Sequence, residues 1–155
     1  MGQGLMIKAL SNIKNDDCYT PQWIFDKLQI RFDLDVASAD SDVIVVPADR
    51  KYTIDDDGLA LPWEGRVWMN PPFSKITPWI DKWLEHGNGI CLVPLASNGK
   101  WVNRLWESQA TATYLPDNMA FTNRQGQLIK HRWRCSMWAL GDENVEALKR
   151  ISRVR

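Results

Sequence analysis

The chain has 155 residues and a mass of 17.9 kDa, with 19 basic and 19 acidic side chains and 45% hydrophobic residues. That is one domain's worth of sequence with a core of its own, too hydrophobic for a disordered chain, and no apolar run approaches the ~20 residues a bilayer span requires. Zero net charge also argues against a nucleic-acid binder that works through bulk electrostatics.

Residues 1–16 carry neither a long apolar run nor a small-residue cleavage site, and read as a loose arm in front of a single domain covering 1–155. Cys18, Cys91 and Cys135 lie 73 and 44 residues apart, without zinc-ligand spacing. Scattered thiols of this kind suit a reducing cytoplasm. Nine tryptophans are several times the usual rate for this length. Large aromatics fill the core of a small domain, and one or two could instead stack a planar ligand.

In chain order, Tyr19-Thr20-Pro21 reads as a helix start, with Thr20 as cap and Pro21 at the first helical position, for a helix from Pro21 to Gln29. Ile30 to Val36 alternates, with Ile30, Phe32, Leu34 and Val36 on one side and charges on the other, as a strand does. The small residues Ala37-Ser38-Ala39 follow, where a backbone can approach a ligand. Val43 to Val46 reads as a second strand. Asp55 to Gly58 is turn chemistry, and Gly65 to Met69 is a third strand, stopped by the two prolines of Asn70-Pro71-Pro72.

Thr77-Pro78 repeats the cap-plus-proline start for a helix that ends near Gly87. Ile90 to Pro94 is a continuous apolar run, suited to a strand buried on both faces. Ser97-Asn98-Gly99 opens a further helix, and Ala110 to Leu115 reads as a strand. One or two more strands lie within Gln127 to Leu140 after a turn at Gly126, and a basic amphipathic helix from Asn144 to Arg155 closes the chain. The order predicts an α/β fold: a reduced Rossmann-like, mostly parallel sheet, an antiparallel C-terminal hairpin, and helices on both faces. Ligands bind such sheets at the carboxyl ends of the strands, so Asp35–Asp40, Asn70–Ser74 and Pro94–Asn98 are expected to converge.

Asn70-Pro71-Pro72-Phe73 carries the chemistry. Two prolines remove two donors and stiffen the backbone, leaving the Asn70 amide oxygen and the Pro71 carbonyl as acceptors for one planar NH₂ group. The Phe73 ring can stack on the plane of the group so held. Held this way, an aromatic amine is drawn toward tetrahedral nitrogen, and its lone pair becomes nucleophilic without a strong base. A strand-ending turn with a core phenylalanine would use the same residues.

The tetrapeptide resembles the catalytic motif of the amino-methyltransferases. Tyr19-Thr20-Pro21, the strand Phe32-Asp33-Leu34-Asp35-Val36-Ala37, and Asp57-Gly58-Leu59 thirteen residues before Asn70 resemble the other elements of that family, in order and spacing. Over roughly residues 17–106 the chain resembles the compact, phage-type (Dam-like) DNA N6-adenine methyltransferases. Two departures stand out. The Gly-rich loop of many methyltransferases is missing after Asp35, and only 35 residues separate Asp35 from Asn70. The sheet is therefore reduced on that edge, with no room there for a separate target-recognition domain.

The resemblance implies S-adenosylmethionine as cofactor, adenine in DNA as substrate, and base flipping. It places Tyr19, Thr20, Pro21, Asp35 and Ala37 around the methionine end of the cofactor and Asp57 at its adenine. Asp40 or Asp49 would meet the ribose. Asn70, Pro71, Pro72 and Phe73 would hold the target base. No metal and no membrane are implied, and His86 and His131 stand too far apart to make a site.

Charge divided by position changes the opening reading. Residues 1–99 hold 9 basic and 14 acidic side chains, and residues 100–155 hold 10 and 5. The halves thus carry −5 and +5. Arg124, Lys130, His131, Arg132 and Arg134 interleave with Trp133 in a basic, aromatic stretch that suits a DNA backbone. Lys130, Arg132 and Arg134 are its chief candidates, and Lys149, Arg150, Arg153 and Arg155 could extend it. The alternatives are a cytosine-N4 methyltransferase, a protein glutamine-amide methyltransferase, and a silent nucleic-acid-binding module with the same fold.

Overall fold

The computed structural model describes residues 19–39, 43–95, 99–115, 121–123, 125, 127–129 and 134–151. The N-terminal arm, Cys18, Asp40, Ser97, Asn98, Arg124, Gly126, Lys130, His131, Arg132, Trp133, Arg153 and Arg155 lie outside them.

The strands are β1 (Phe32–Asp35), β2 (Ala48–Lys51), β3 (Val67–Met69), β4 (Gly89–Pro94), β5 (Thr111–Tyr114), β6 (Phe121–Thr122), β7 (Leu128–Ile129) and β8 (Cys135–Leu140). The helices are α1 (Gln22–Leu28), α2 (Ile76–His86), α3 (Lys100–Glu107) and α4 (Asp142–Leu148). A six-stranded sheet runs in the order β2-β1-β3-β4-β8-β5. β2, β1, β3 and β4 are parallel, and β8 lies antiparallel between β4 and β5. A mostly parallel, reduced Rossmann-like α/β sheet is thus what forms. β6 and β7 make a separate two-stranded antiparallel ribbon, and Tyr19 pairs with Thr122 at its edge.

The central strands are apolar on both faces because both faces are covered. In β3, Trp68 enters one core and Val67 and Met69 the other; in β4, Ile90 and Leu92 oppose Cys91 and Val93. The first core is closed by Ile24, Phe25 and Leu28 of α1 and Ala147 and Leu148 of α4. The second is closed by Trp79, Ile80 and Trp83 of α2 and Leu105 of α3. Each fully buried large side chain contributes about 1.5–3 kcal/mol. The expectation of helices on both faces holds. Tryptophan is mostly core material here: Trp63, Trp68, Trp79, Trp83 and Trp138 are buried, while Trp106 is 60% exposed.

Five local expectations are corrected. Val43–Val46 is not a strand. The ladder with β1 starts only at Ala48, opposite Phe32, and Val45 and Val46 pack against the first core while Ile44 faces out. β1 does not divide into one apolar and one charged side: Phe32 and Leu34 enter different cores, and of its two acids Asp33 is exposed while Asp35 is buried. Thr20 does not cap α1, whose N-cap is Pro21, with no side-chain cap bond. Thr77 does not cap α2 either. A 3₁₀ turn, Phe73–Lys75, runs into the helix, so Thr77 and Pro78 fall within its first turn, where a missing donor is still tolerated. The last helix starts two residues early, at Asp142, and ends at Leu148. Among the described residues no helix is long and apolar enough to cross a membrane.

Candidate active site

The chain leaves β1 through Val36-Ala37-Ser38 and leaves β3 through Asn70, and because these strands are adjacent and parallel, both exits open on one side. A cavity of about 240 Å³ lies there. Its wall includes Tyr19, Thr20, Asp35, Ala37 and Asn70, which bring together the N-terminal element, the acidic strand end and the head of the Asn-Pro-Pro-Phe turn. Asp49 lines it too, exposed and paired with Arg31 at 2.9 Å.

Asp35 is 4% exposed. Burial pushes its carboxyl up to about 7, against the pull of the Ala37 amide, the Ser38 hydroxyl and the Lys51 charge. A buried carboxylate at the wall of a cavity is a receptor for a cation. The Ala37 amide approaches one of its oxygens at 3.4 Å.

The Asn70 side-chain amide donates to Thr20 Oγ1 at 3.5 Å, a long contact, but one that turns the Asn70 carbonyl oxygen away from Thr20 and leaves it as an acceptor. Thr20, freed from capping, is buried at the head of α1. Pro71 is buried, and Pro72 and Phe73 are half-buried, with Phe73 leaning on the second core. Of the turn, only Asn70 lines the cavity; Pro71, Pro72 and Phe73 follow it in the chain without lining the cavity.

The remaining predicted residues stand apart. Asp57 is exposed, at a positive φ of 55°, and is not among the residues lining the cavity. Its neighbour Gly58 abuts the end of β1, where a Cβ would stand 2.3 Å from the Val36 carbonyl oxygen, so the Asp57 turn is fixed one residue away from Ala37. Pro94 and Leu95 are not among the residues lining the cavity, and residues 96–98 of that cluster lie outside the described residues; the ends of β1 and β3 are the two expected clusters that meet there. Lys130 and Arg132 lie outside the described residues, while Arg134 is exposed, with its carbonyl accepting from the Leu95 amide at 2.7 Å. Lys149 is paired with Glu146, and Arg150 donates to the Leu28 carbonyl. His86 bonds the Gly65 carbonyl at 2.7 Å, and no described group of three or more His, Cys, Asp or Glu residues could hold a metal.

Sequence reasoning missed three features. Val43–Val46 walls the cavity, and so do Arg50 and Lys51 at the exit of β2. Lys82 reaches from α2 to the carbonyls of Leu59 at 2.8 Å and Leu61 at 2.5 Å and lies 5.0 Å from the Trp63 ring, riveting the loop that follows Asp57. Its spacing from Leu59 carries no motif that could have flagged it.

A model of the family described as DNA N-6-adenine-methyltransferase (Dam) matches residues 8–154. No curated protein and no solved structure matches the chain.

Proposed function

Because the chain belongs to the DNA N-6-adenine-methyltransferase (Dam) family, we propose that it methylates the N6 amine of an adenine in DNA from S-adenosylmethionine, at the cavity between Asp35 and Asn70. The observation that carries this reading is that Asp35 and Asn70, from two different strand exits, line the same cavity. The family's chemistry favours adenine N6 over the cytosine-N4 and protein glutamine-amide alternatives.

The donor set suits the cofactor, which bears a sulfonium and an ammonium and supplies an electrophilic methyl carbon. Asp35 offers these cations a desolvated carboxylate, which must be ionised to hold them. Tyr19, Thr20 and Ala37 line that end of the cavity and would frame the cofactor with Pro21, the neighbour of Thr20, while Asp57, on the loop against the end of β1, would accept from the cofactor's adenine. Asp49 on the cavity wall is the ribose candidate.

The target adenine must leave the duplex stack to reach a recessed acceptor pair, at a cost of a few kcal/mol. Asn70 Oδ1 and the Pro71 carbonyl then accept the two N6 protons, and Phe73 stacks on the ring. These contacts fix the nitrogen lone pair in line for attack, so the barrier falls mainly through positioning. After transfer the nitrogen carries one excess proton, which passes to solvent.

Asn70→Ala tests the reading. Methyl transfer to unmethylated DNA is expected to fall at least ~10³-fold, with cofactor affinity by calorimetry within about twofold of wild type. Transfer by the variant at near wild-type rate would remove Asn70 from the mechanism.

A further inference from the structure

A second set of cations stands on the same end of the sheet, outside the stretch that composition singles out. Lys75 lies five residues beyond Asn70, at the junction of the 3₁₀ turn with α2, and Lys100 is the first residue of α3. Both are exposed, and neither is in an ion pair among the described residues. α2 and α3 return from adjacent parallel strands and are joined by the Arg104–Asp81 ion pair, so both lysines sit at the same end of the helix layer. Arg134 borders that end, bonded through its backbone to Leu95 just past β4.

The two lysines are placed against local helix chemistry. Positive side chains near a helix start cost about 0.3–1 kcal/mol, and acids there gain a similar amount. Neither α2 nor α3 has an acid in its first turn, whereas α4 carries Asp142 and Glu143. The choice of lysine is therefore not made for helix stability. Charge counted by halves of the sequence hides it, because Lys75 belongs to the acidic half and Lys100 to the basic one.

We propose that Lys75 and Lys100 grip the DNA phosphate backbone beside the extruded adenine. Their ammonium groups complement phosphate, and the short path from Asn70 to Lys75 puts the first contact next to the flipped nucleotide. This rests on the DNA substrate proposed above and adds a grip independent of Lys130, Arg132 and Arg134.

The test is the binding of the full chain to a fluorescent unmethylated duplex over a range of salt concentrations. Lys75→Gln/Lys100→Gln is expected to flatten the slope of log K against log salt by about 0.9 per lysine. KM for DNA should rise while kcat at saturating DNA stays close to wild type. Lys27→Gln, in the last turn of α1, should leave the slope unchanged. A double variant with the wild-type slope, or a wild-type chain that does not bind the duplex, overturns the proposal. An unchanged slope in a chain that methylates DNA removes the grip and spares the activity; a flattened slope without methylation does the reverse.

Discussion

The two ends of the sheet are built by opposite rules. At the amino end a network of buried and half-buried side chains ties the elements together. Arg66 donates to Asn144 at 2.6 Å, to Glu143 at 2.5 Å and to the Arg31 carbonyl at 3.1 Å, and its backbone amide donates to Asp33 at 2.7 Å. Asn144, 1% exposed, donates in turn to Asn88 and the Leu140 carbonyl, locking the starts of β1, β3 and α4 to the end of β8. At the carboxyl end a carboxylate is buried at a cavity wall, and lysines stand at helix starts where acids would be stabilising. Stability is concentrated at one end and chemical potential at the other. Local rules are broken where function is proposed.

The largest expected effect breaks the carboxyl end. Asp35→Asn should weaken cofactor binding by about 2–5 kcal/mol, the scale for removing one partner of a buried charge pair. In the wild type the sign follows from the raised carboxyl, which is neutral below about 7 and must ionise to pair with a cation. Cofactor affinity should therefore fall about tenfold per pH unit below 7 and level off above it. Calorimetry at pH 5.5–8.5 reads this directly, and a flat wild-type profile would place the cation elsewhere.

Folding stability runs the other way. A carboxyl raised in the folded state costs stability as pH climbs from its unfolded value, 3.8, to about 7, so Asp35→Asn should raise Tm above pH 7 and change little near pH 4.

The next effect breaks the amino end. Arg66→Ala leaves the buried Asn144 side-chain oxygen without its donor and should cost about 2–3 kcal/mol in urea unfolding, with kcat near wild type. A comparable loss of kcat would show that the two ends are coupled.

The smallest effect sharpens the site. Thr20→Val keeps the shape but removes the acceptor for the Asn70 amide, and should lower kcat about fivefold, the equivalent of the ~1 kcal/mol of one hydrogen bond. Thr20→Ser should restore it. Equal kcat in all three would make Thr20 a packing residue.

Much of this was legible in the sequence. The Asn70-Pro71-Pro72-Phe73 turn, the Asp35 strand end and the two-sided burial of β4 follow from proline chemistry and an apolar run. The Val43–Val46 wall did not, because four β-branched residues look like a strand unless the neighbouring strand's free edge is known to begin later, at Ala48. Thr20 looked like a cap because capping is local, whereas its observed partner lies 50 residues away. The Lys82 rivet and the Lys75 and Lys100 pair are likewise products of the tertiary fold.

The most direct measurement is the product. Wild-type protein is incubated with labelled S-adenosylmethionine and unmethylated DNA, the DNA is digested to nucleosides, and the label is located by chromatography and mass spectrometry. N6-methyladenine as the labelled nucleoside, absent with Asn70→Ala, is the result predicted. No labelled N6-methyladenine across a panel of DNA sequences, or label on cytosine, would contradict it.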